Sequence, residues 1–256
     1  MTSARSRRAQ LDADLAVARI FQQSLIPKEC RRCGPGGMAA KYLPAQFIGG
    51  DFYNFVELDE RRFGLFIGDA FGHGIAAAMI MAMATTLVKN FAVSWRSPAE
   101  VLRKVNKSFC ETVGRSDDVG FSLFFSLFYA IVEPGARTLR YANAGHPPPL
   151  LVKAKGGAVE ELSAHGTVLG ISWEESYGES RVRLQAGEKI ALYTDGLIEA
   201  FGPKGDLFGL ERLKRIIQAH SDQSAEELLQ TIQRELMAFT GKKALRDDVT
   251  LLVIGS

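Results

Sequence analysis

Four predicted strand ends carry aspartates, and each lies beside glycine or another acid. They are Asp51 in IGGDFYNF, Asp69 in GDAFGHG, Asp195 in YTDG, and the adjacent Asp247 and Asp248 in DDVTLLV. Any one of these aspartates fits the ordinary use of Asp in a turn. In a sandwich of two sheets, strand ends can meet on one rim, where several carboxylates would repel each other unless cations lay between them. Because carboxylate and carbonyl oxygens suit Mg²⁺ or Mn²⁺, the pattern predicts a site for these ions.

Divalent ions held by such a site are suited to activating water. Two divalent ions about 4 Å apart lower the pKa of a bridging water and clamp the oxygens of a phosphoryl group. The resulting hydroxide attacks phosphorus in line, and no phospho-enzyme is needed. Gly49 and Gly50, directly before Asp51, leave two interpretations open. Asp51 either caps a turn or presents an oxygen ligand to a cation on an unshielded backbone.

The elements that would position these aspartates follow from apolar periodicity and turn residues. Strands are predicted at 38–43, 52–58 and 62–69, and in the segments FFSLFYAIVEP, TLRYANAG, PPLLVKA and the closing VTLLVI. Two more strands, at 181–184 and 189–194, are predicted to pair through a turn at Gly187. Helices are predicted at 9–26, at 74–91, from the capping box at Ser97 to 113, at 207–219, and from the capping box at Ser224 to 239.

The order of these elements favours an α+β fold. Strands, two helices, many strands, two helices and a last strand do not alternate as βαβ units do, which disfavours a parallel doubly wound sheet. Antiparallel hairpins dominate instead. Two mainly antiparallel sheets stacked face to face, with helix pairs outside, would bury all of the apolar faces. The sequence therefore predicts a four-layer α-β-β-α sandwich.

Composition narrows the class of protein further. The chain has 256 residues, of which 46% are hydrophobic, and a net charge of +2, so it has material for a core and no charge bias toward nucleic acid. The longest apolar run, at 75–88, is too short to span a membrane, and no apolar signal segment is seen. Cys30 and Cys33 form a lone CxxC, too few ligands for zinc, and Cys110 leaves an odd count. We expect a cytoplasmic protein that binds neither nucleic acid nor membrane.

Five ordered motifs carry a family resemblance over residues 39–254. GGDFYNF, GDAFGHGIAAAM, LFYAIVEPGARTLRYANAGHPPPLL, LYTDGLIEA and DDVTLLVI together closely resemble the SpoIIE/RsbU-type branch of the PPM (PP2C-like) serine/threonine protein phosphatases. The resemblance implies a PP2C-like sandwich with a two-metal site on one rim. It also implies two units: an N-terminal linker helix and loop at 1–37, and a phosphatase domain at 38–256.

The resemblance assigns the metal ligands. Asp69 would bridge two Mn²⁺ or Mg²⁺ ions, and the backbone carbonyl of Ala70 would complete one of the two sites. Asp195 and Asp247 would bind the other ion, with Asp248 as the alternative to Asp247 at the last position.

The resemblance also bears on three further groups near the motifs. Asp51 would act through a water on the metals, or directly. His73, in GHG, either protonates the leaving serine oxygen or merely occupies a loop that needs small and polar residues. His146, in NAGHPPP, is interpreted as structural, packing the turn.

Partners are likewise implied by the family. Its members act in partner-switching signal transduction on phosphoserine or phosphothreonine of STAS-domain anti-anti-sigma factors, often as output domains of response regulators. The helix at 9–26 resembles the family's linker helix, and its near-heptad stripe predicts a homodimer. The stripe consists of Leu11, Leu15, Ala18, Gln22 and Leu25, broadened by Val17 and Phe21.

Two alternatives to a phosphatase remain at this point. GGDF resembles the GGDEF signature of diguanylate cyclases, but Phe52 stands where those enzymes carry an acid, and YTDG and DDVT would be unexplained. The other alternative is a phosphatase fold with weak or lost catalysis that serves as a binding module of a response regulator. The full set of aspartates argues against it.

Overall fold

The computed structural model describes residues 2–27, 36–113, 123–154, 156–241 and 244–256. Within them, two five-stranded sheets form, and all neighbouring strands are antiparallel. Sheet one contains, in spatial order, β1 (Met38–Leu43), β10 (Val249–Gly255), β9 (Lys189–Tyr193), β6 (Leu150–Val152) and β7 (Val159–Glu161). Sheet two contains β2 (Asp51–Glu57), β3 (Phe63–Ala70), β4 (Phe125–Glu133), β5 (Thr138–Ala144) and β8 (Glu179–Arg183).

Helices cover the outer face of each sheet, and the predicted four-layer sandwich is confirmed. The helices are α1 (Thr2–Leu25), α2 (Gly74–Ala92), α3 (Pro98–Val113), α4 (Asp195–Ile198), α5 (Leu210–Ala219) and α6 (Ala225–Thr240). One core joins α2 and α3 to sheet two, a second joins α5 and α6 to sheet one, and a third lies between the sheets. β10 is buried on both faces, which explains why its residues form a nearly unbroken apolar run.

Local sequence explains how these layers form. Ser224 and Glu227 close a reciprocal capping box at the start of α6, as predicted, and such a cap contributes about 1 kcal/mol. Three fully buried rings in the core of sheet two, those of Phe52, Phe66 and Phe125, meet at centroid distances of 6.2 and 6.3 Å. Burial of each such ring stabilises the fold by about 1.5–3 kcal/mol.

The predicted strand pair around Gly187 is wrong. β8 pairs with β5 in sheet two, whereas β9 pairs with β10 and β6 in sheet one. Gly187 does adopt a left-handed turn with φ 82°, but the chain uses the turn to pass from one sheet to the other. β8 is a half-exposed edge strand and β9 is fully buried, so the two strands belong in different environments. A turn signal does not show whether its flanking strands pair.

α2 meets the length and composition of a membrane span, contrary to the expectation that no segment does. One face of α2 packs on the core of sheet two through Ala77, Met81, Ala84 and Val88. This burial explains an apolar helix in a sandwich. Cys30 and Cys33 lie outside the described residues, and Cys110 is a free, half-buried thiol.

α1 is longer than predicted and meets the sandwich at its C-terminal end. The Gln22 side chain bonds both the carbonyl and the amide of Gly49, and Asn54 donates to the carbonyl of Leu25. Arg19 lies over the Phe47 ring at 5.0 Å. Most of the predicted loop at 28–37 lies outside the described residues, so the division of the chain at residue 37 stays a prediction.

Candidate metal centre at the acid rim

The predicted aspartates come together at one edge of the sandwich. We call Asp51, Asp69, Asp195, Asp247 and Asp248 the acid rim. Asp51 opens β2 and is paired directly with Asp69 near the end of β3, in sheet two. Asp195 opens α4 just after β9, and the adjacent pair precedes β10, so these three acids stand at the ends of neighbouring strands of sheet one. The rim therefore draws on both sheets.

Asp51 is the most deeply buried member and links the two sheets. It is 1% exposed, and its Oδ2 accepts hydrogen bonds from the hydroxyls of Thr194 and Thr250, each at 2.7 Å. Thr194 in turn accepts the backbone amide of Thr250 at 2.9 Å. Burial raises the pKa of Asp51 well above its ordinary value, and the neighbouring Asp69 raises it further.

Asp69 and Asp195 experience the same unfavourable surroundings. Burial, followed by the charges of Asp195, Asp247 and Asp248, raises the pKa of Asp69 to about 8, although a hydrogen bond with Asp51 opposes this rise. Burial also raises the pKa of Asp195, and Asp247 and Glu199 add to the effect. The charges that raise these pKa values are all negative, so the rim is an uncompensated anionic site.

The two adjacent acids before β10 have different environments. The carboxylate of Asp248 accepts the amides of Ala45 and Gly50, each at 2.8 Å, and the Tyr42 hydroxyl at 3.5 Å. Asp247 is exposed, and its Oδ1 accepts the amide of Asp248. Both oxygens of Asp248 are thus engaged within the protein. The geometry favours Asp247 over Asp248 as a metal ligand, and the assignment itself stays a prediction.

The same contacts explain the glycine pair before Asp51. A Cβ at Gly49 would lie 1.7 Å from Oδ2 of Asp248, and a Cβ at Gly50 would lie 2.7 Å from the carbonyl oxygen of Ala70. Glycine at both positions lets Asp248 and the Ala70 carbonyl approach the backbone. The Ala70 carbonyl, proposed from resemblance as a ligand, therefore lies against the residue that precedes Asp51.

Two cavities open beside the rim. The larger, of about 490 Å³, is lined by Asp69, Asp195 and Ser126 and has an apolar wall that includes Phe71, stacked on Phe124 at 4.3 Å between ring centroids. The smaller, of about 210 Å³, is lined by Asp247 and Arg246 among others. Phosphate-sized groups could enter either one.

Several site residues were missed from sequence. Glu199 lines both cavities, and its place four residues after Asp195, one helical turn on, was a usable signal. The hydroxyls of Thr194 and Thr250, and Ser126, had no signal of their own, because they act through pairing between strands distant in sequence. His73 stands exposed at the N-cap of α2 and does not line either cavity, so the structure gives no support to its proton-donor role.

The residues present fit divalent cations by chemistry and by charge. The donors are carboxylate and carbonyl oxygens, which Mg²⁺ and Mn²⁺ prefer. The raised pKa values of Asp51 and Asp69 show that these carboxyls have too little positive charge near them, and divalent cations would supply it. Among the described residues, no three acidic, imidazole or thiol side chains are grouped tightly enough to enclose one ion by themselves. The Ala70 carbonyl and water would have to complete the coordination, as is usual for Mg²⁺.

Comparisons with known proteins agree with the fold and the motifs. The family model for Stage II sporulation protein E (SpoIIE) matches residues 59–255. The chain is 30% identical to the phosphoserine phosphatase RsbU of Bacillus subtilis (strain 168) over 247 residues, which cover 96% of this chain and 70% of RsbU. The SiaA-PP2C domain of Pseudomonas aeruginosa superposes with a TM-score of 0.85 at 23% identity, covering 100% of both chains. RsbX, solved in complex with magnesium, has a TM-score of 0.61 at 18% identity, covering 85% of this chain and 93% of RsbX.

Proposed function

Because the chain belongs to the SpoIIE family of PP2C-like phosphatases, we propose that it uses two Mn²⁺ or Mg²⁺ ions to hydrolyse phosphoserine or phosphothreonine on a regulatory protein. Its relative RsbU is a phosphoserine phosphatase, which supports protein phosphatase activity. Magnesium in the structurally similar RsbX supports the choice of cation.

One observation carries the proposal: Asp51 and Asp69 face each other across β2 and β3 with further acids around them. Opposed carboxylates destabilise a strand pair, and burial increases the cost. Divalent cations between the carboxylates would remove this cost. A binding module without catalysis would have no need for such an arrangement, which argues against the adaptor alternative.

The proposed roles of the residues follow from their positions. Asp69 and the Ala70 carbonyl would hold one cation, and Asp69 with Asp195 and Asp247 would hold the other. Bound cations would supply an activated water and would offset the negative charge of the phosphoryl group.

The protein's own groups set the remaining geometry. Thr194 and Thr250 fix one oxygen of Asp51, and the side of the carboxyl that bonds Asp69 would accept a proton from the attacking water. Water adds to phosphorus as the bond to the serine oxygen breaks, and the serine oxygen takes up a proton from solvent, so serine and inorganic phosphate are released.

We propose a phosphorylated STAS-domain protein as the substrate. The support is the likeness to RsbU and the open cavity beside the rim, where Phe71 is 62% exposed and accessible to a protein surface. A panel of phosphorylated STAS proteins, unrelated phosphoserine peptides and phosphotyrosine peptides tests this. Faster dephosphorylation of the STAS proteins supports the proposal, and a preference for phosphotyrosine contradicts it.

A simpler assay separates the three classes of function. The protein is supplied with Mn²⁺ and either p-nitrophenyl phosphate or GTP. Hydrolysis of the phosphate ester supports the phosphatase, and conversion of GTP to a cyclic dinucleotide supports the cyclase. A protein that turns over neither compound is the binding module. We expect hydrolysis of the ester and no reaction of GTP.

We further propose that α1 forms a homodimer contact. Leu25 packs on the core of sheet two and Gln22 bonds Gly49, so the C-terminal part of the predicted stripe meets the chain's own sandwich. Val17 and Phe21, which broaden the predicted stripe, are 67% and 59% exposed, and Ile20 is 68% exposed. An exposed apolar face of this kind on one helix suits pairing with its copy.

A further inference from the structure

His146 is a buried imidazole that the proposed reaction does not use. It is 3% exposed, lies between β5 and β6, and lines the larger cavity together with Asp69 and Asp195. Its Nδ1 is 2.8 Å from the hydroxyl oxygen of Ser126. Its Nε2 is buried without a hydrogen-bond partner among the described residues. A buried polar side chain in this state, beside a reactive site, suggests a role beyond packing.

Packing of the turn does not account for the imidazole. The Asn143 side chain donates to the carbonyl of His146 and accepts its amide, each at 2.8 Å. Gly145 supplies the left-handed conformation of the turn, with φ 66°. These contacts use the backbone of residue 146 and would persist with another side chain there. The sequence-based interpretation of His146 as a turn-packing residue therefore leaves its ring unexplained.

The contact of the ring with Ser126 leads to the acid rim. Ser126 is the direct cross-strand partner of Asp69 in the ladder between β3 and β4, as Asp51 is in the ladder between β2 and β3. Directly paired residues share one face of a sheet, with Cβ atoms about 4.5–5.5 Å apart. Asp51, Asp69 and Ser126 therefore form one polar row across three strands, and His146 contacts Ser126 at the end of this row.

The ring also approaches the other sheet. The backbone of Tyr193, two residues before Asp195, lies close to the imidazole and raises its pKa, although it makes no standard hydrogen bond to Nε2. The ring thus lies between β4, which carries Ser126, and β9, which leads to Asp195. A side chain in this place can set the separation of the two carboxylates.

We propose that His146 is a positioning residue: through Ser126 it orients the Asp69 carboxylate and so raises the affinity of the acid rim for a divalent cation. The inference rests on the proposed function, since it concerns the cation of that site. Burial lowers the pKa of His146 to about 3, so the ring is neutral and repels no incoming cation. Groups that orient a metal ligand typically change metal affinity by about 10–100-fold.

The test measures Mn²⁺ binding to the full chain by isothermal titration calorimetry, without substrate. His146→Leu removes the hydrogen bond to Ser126, and we expect Mn²⁺ affinity to fall about tenfold. His146→Asn places an amide where Nδ1 stands, and we expect affinity within about threefold of the wild type. Asn143→Ala is the structural control, for which we expect a lower Tm than for either His146 variant.

Ser126→Ala tests the same hydrogen bond from its other side and is independent of how His146→Leu folds. We expect it to weaken Mn²⁺ binding as His146→Leu does, and the double variant to be no weaker than either single one. Unchanged affinity in Ser126→Ala, or additive losses in the double variant, would overturn the inference. A wild-type chain that binds no Mn²⁺ would instead contradict the proposed function itself.

Discussion

Asp51 and Asp69 lie directly opposite each other on the antiparallel strands β2 and β3. Burial is the largest cause of the raised pKa of both carboxyls, and repulsion by neighbouring acids comes second. A sheet that served only to fold would place opposite charges or apolar groups at this pair. The two acids at this pair therefore lower the stability of the fold, and residues that do so are typical of functional sites.

Asp51→Asn should stabilise the cation-free protein. The amide oxygen can still accept from Thr194 and Thr250, and the amide nitrogen can donate to Asp69. Removing one of two opposed buried charges should contribute about 1 kcal/mol, which raises Tm by roughly 2–4 °C in a chain of this size. Calorimetry in the presence of a chelator measures this. Asp222→Asn removes an exposed acid between α5 and α6, near Lys189 and away from the acid rim, and should not raise Tm. A lower Tm for Asp51→Asn would contradict the uncompensated-charge account.

The stability of the cation-free protein should fall as pH rises. A carboxyl whose pKa is raised on folding binds its proton more tightly in the folded state, so the free energy of unfolding decreases as the group ionises. For Asp69 the window runs from the ordinary 3.8 to about 8. With chelator, Tm should be lower at pH 8 than at pH 5.5, and Asp69→Asn should reduce this difference. If the wild-type protein in chelator is equally stable at both pH values, the pKa of Asp69 is not raised and the account is contradicted.

Asp247 and Asp248 should respond differently to the same substitution. Asp248→Asn turns an amide nitrogen toward one of the two backbone amides that the carboxylate now accepts, so it should cost about 1–3 kcal/mol and lower Tm. Asp247→Asn should leave Tm nearly unchanged and lower kcat by roughly a hundredfold, as expected for loss of charge stabilisation. Thermal unfolding and phosphatase kinetics of the two variants measure this. The reverse pattern would make Asp248 the ligand.

The exposed face of α1 should mediate dimer formation. Sedimentation of the wild type should show a concentration-dependent dimer, and Ile20→Glu should be a monomer with an unchanged Tm, because Ile20 is 68% exposed. Gln23→Glu adds the same charge beside this face and should still form dimers. Leu15→Glu should lower Tm, since Leu15 is half-buried. A wild type that stays monomeric at high concentration would remove the proposed contact.

Much of the fold could be predicted because local signals coincide with strand ends. Apolar runs that stop at Asp69 or begin after Asp248 mark β3 and β10 correctly, and the capping box at Ser224 marks the start of α6. The pairing of β8 and β9 could not be predicted. A glycine turn specifies that the chain reverses, whereas burial against other layers decides which sheet each strand joins.

The site shows the same division. The convergence of the acids could be predicted from their residue types and their places at strand ends. The different roles of Asp247 and Asp248 could not be predicted, because Asp248 is engaged by Ala45 and Gly50, about 200 positions away. The stripe on α1 was interpreted as a pairing face, yet its C-terminal part packs on the sandwich. Periodicity identifies an apolar face and does not identify what covers it.

The most direct test of the central claim is phosphate release from a phosphoserine peptide as Mn²⁺ is returned to the chelated protein. The account predicts no release with the chelator and saturable recovery with added Mn²⁺. It predicts the same recovery in Asp222→Asn and a loss of at least about 10²-fold in kcat for Asp69→Asn. Release that persists without divalent cation, or full activity of Asp69→Asn, would contradict a metal-dependent phosphatase centred on the acid rim.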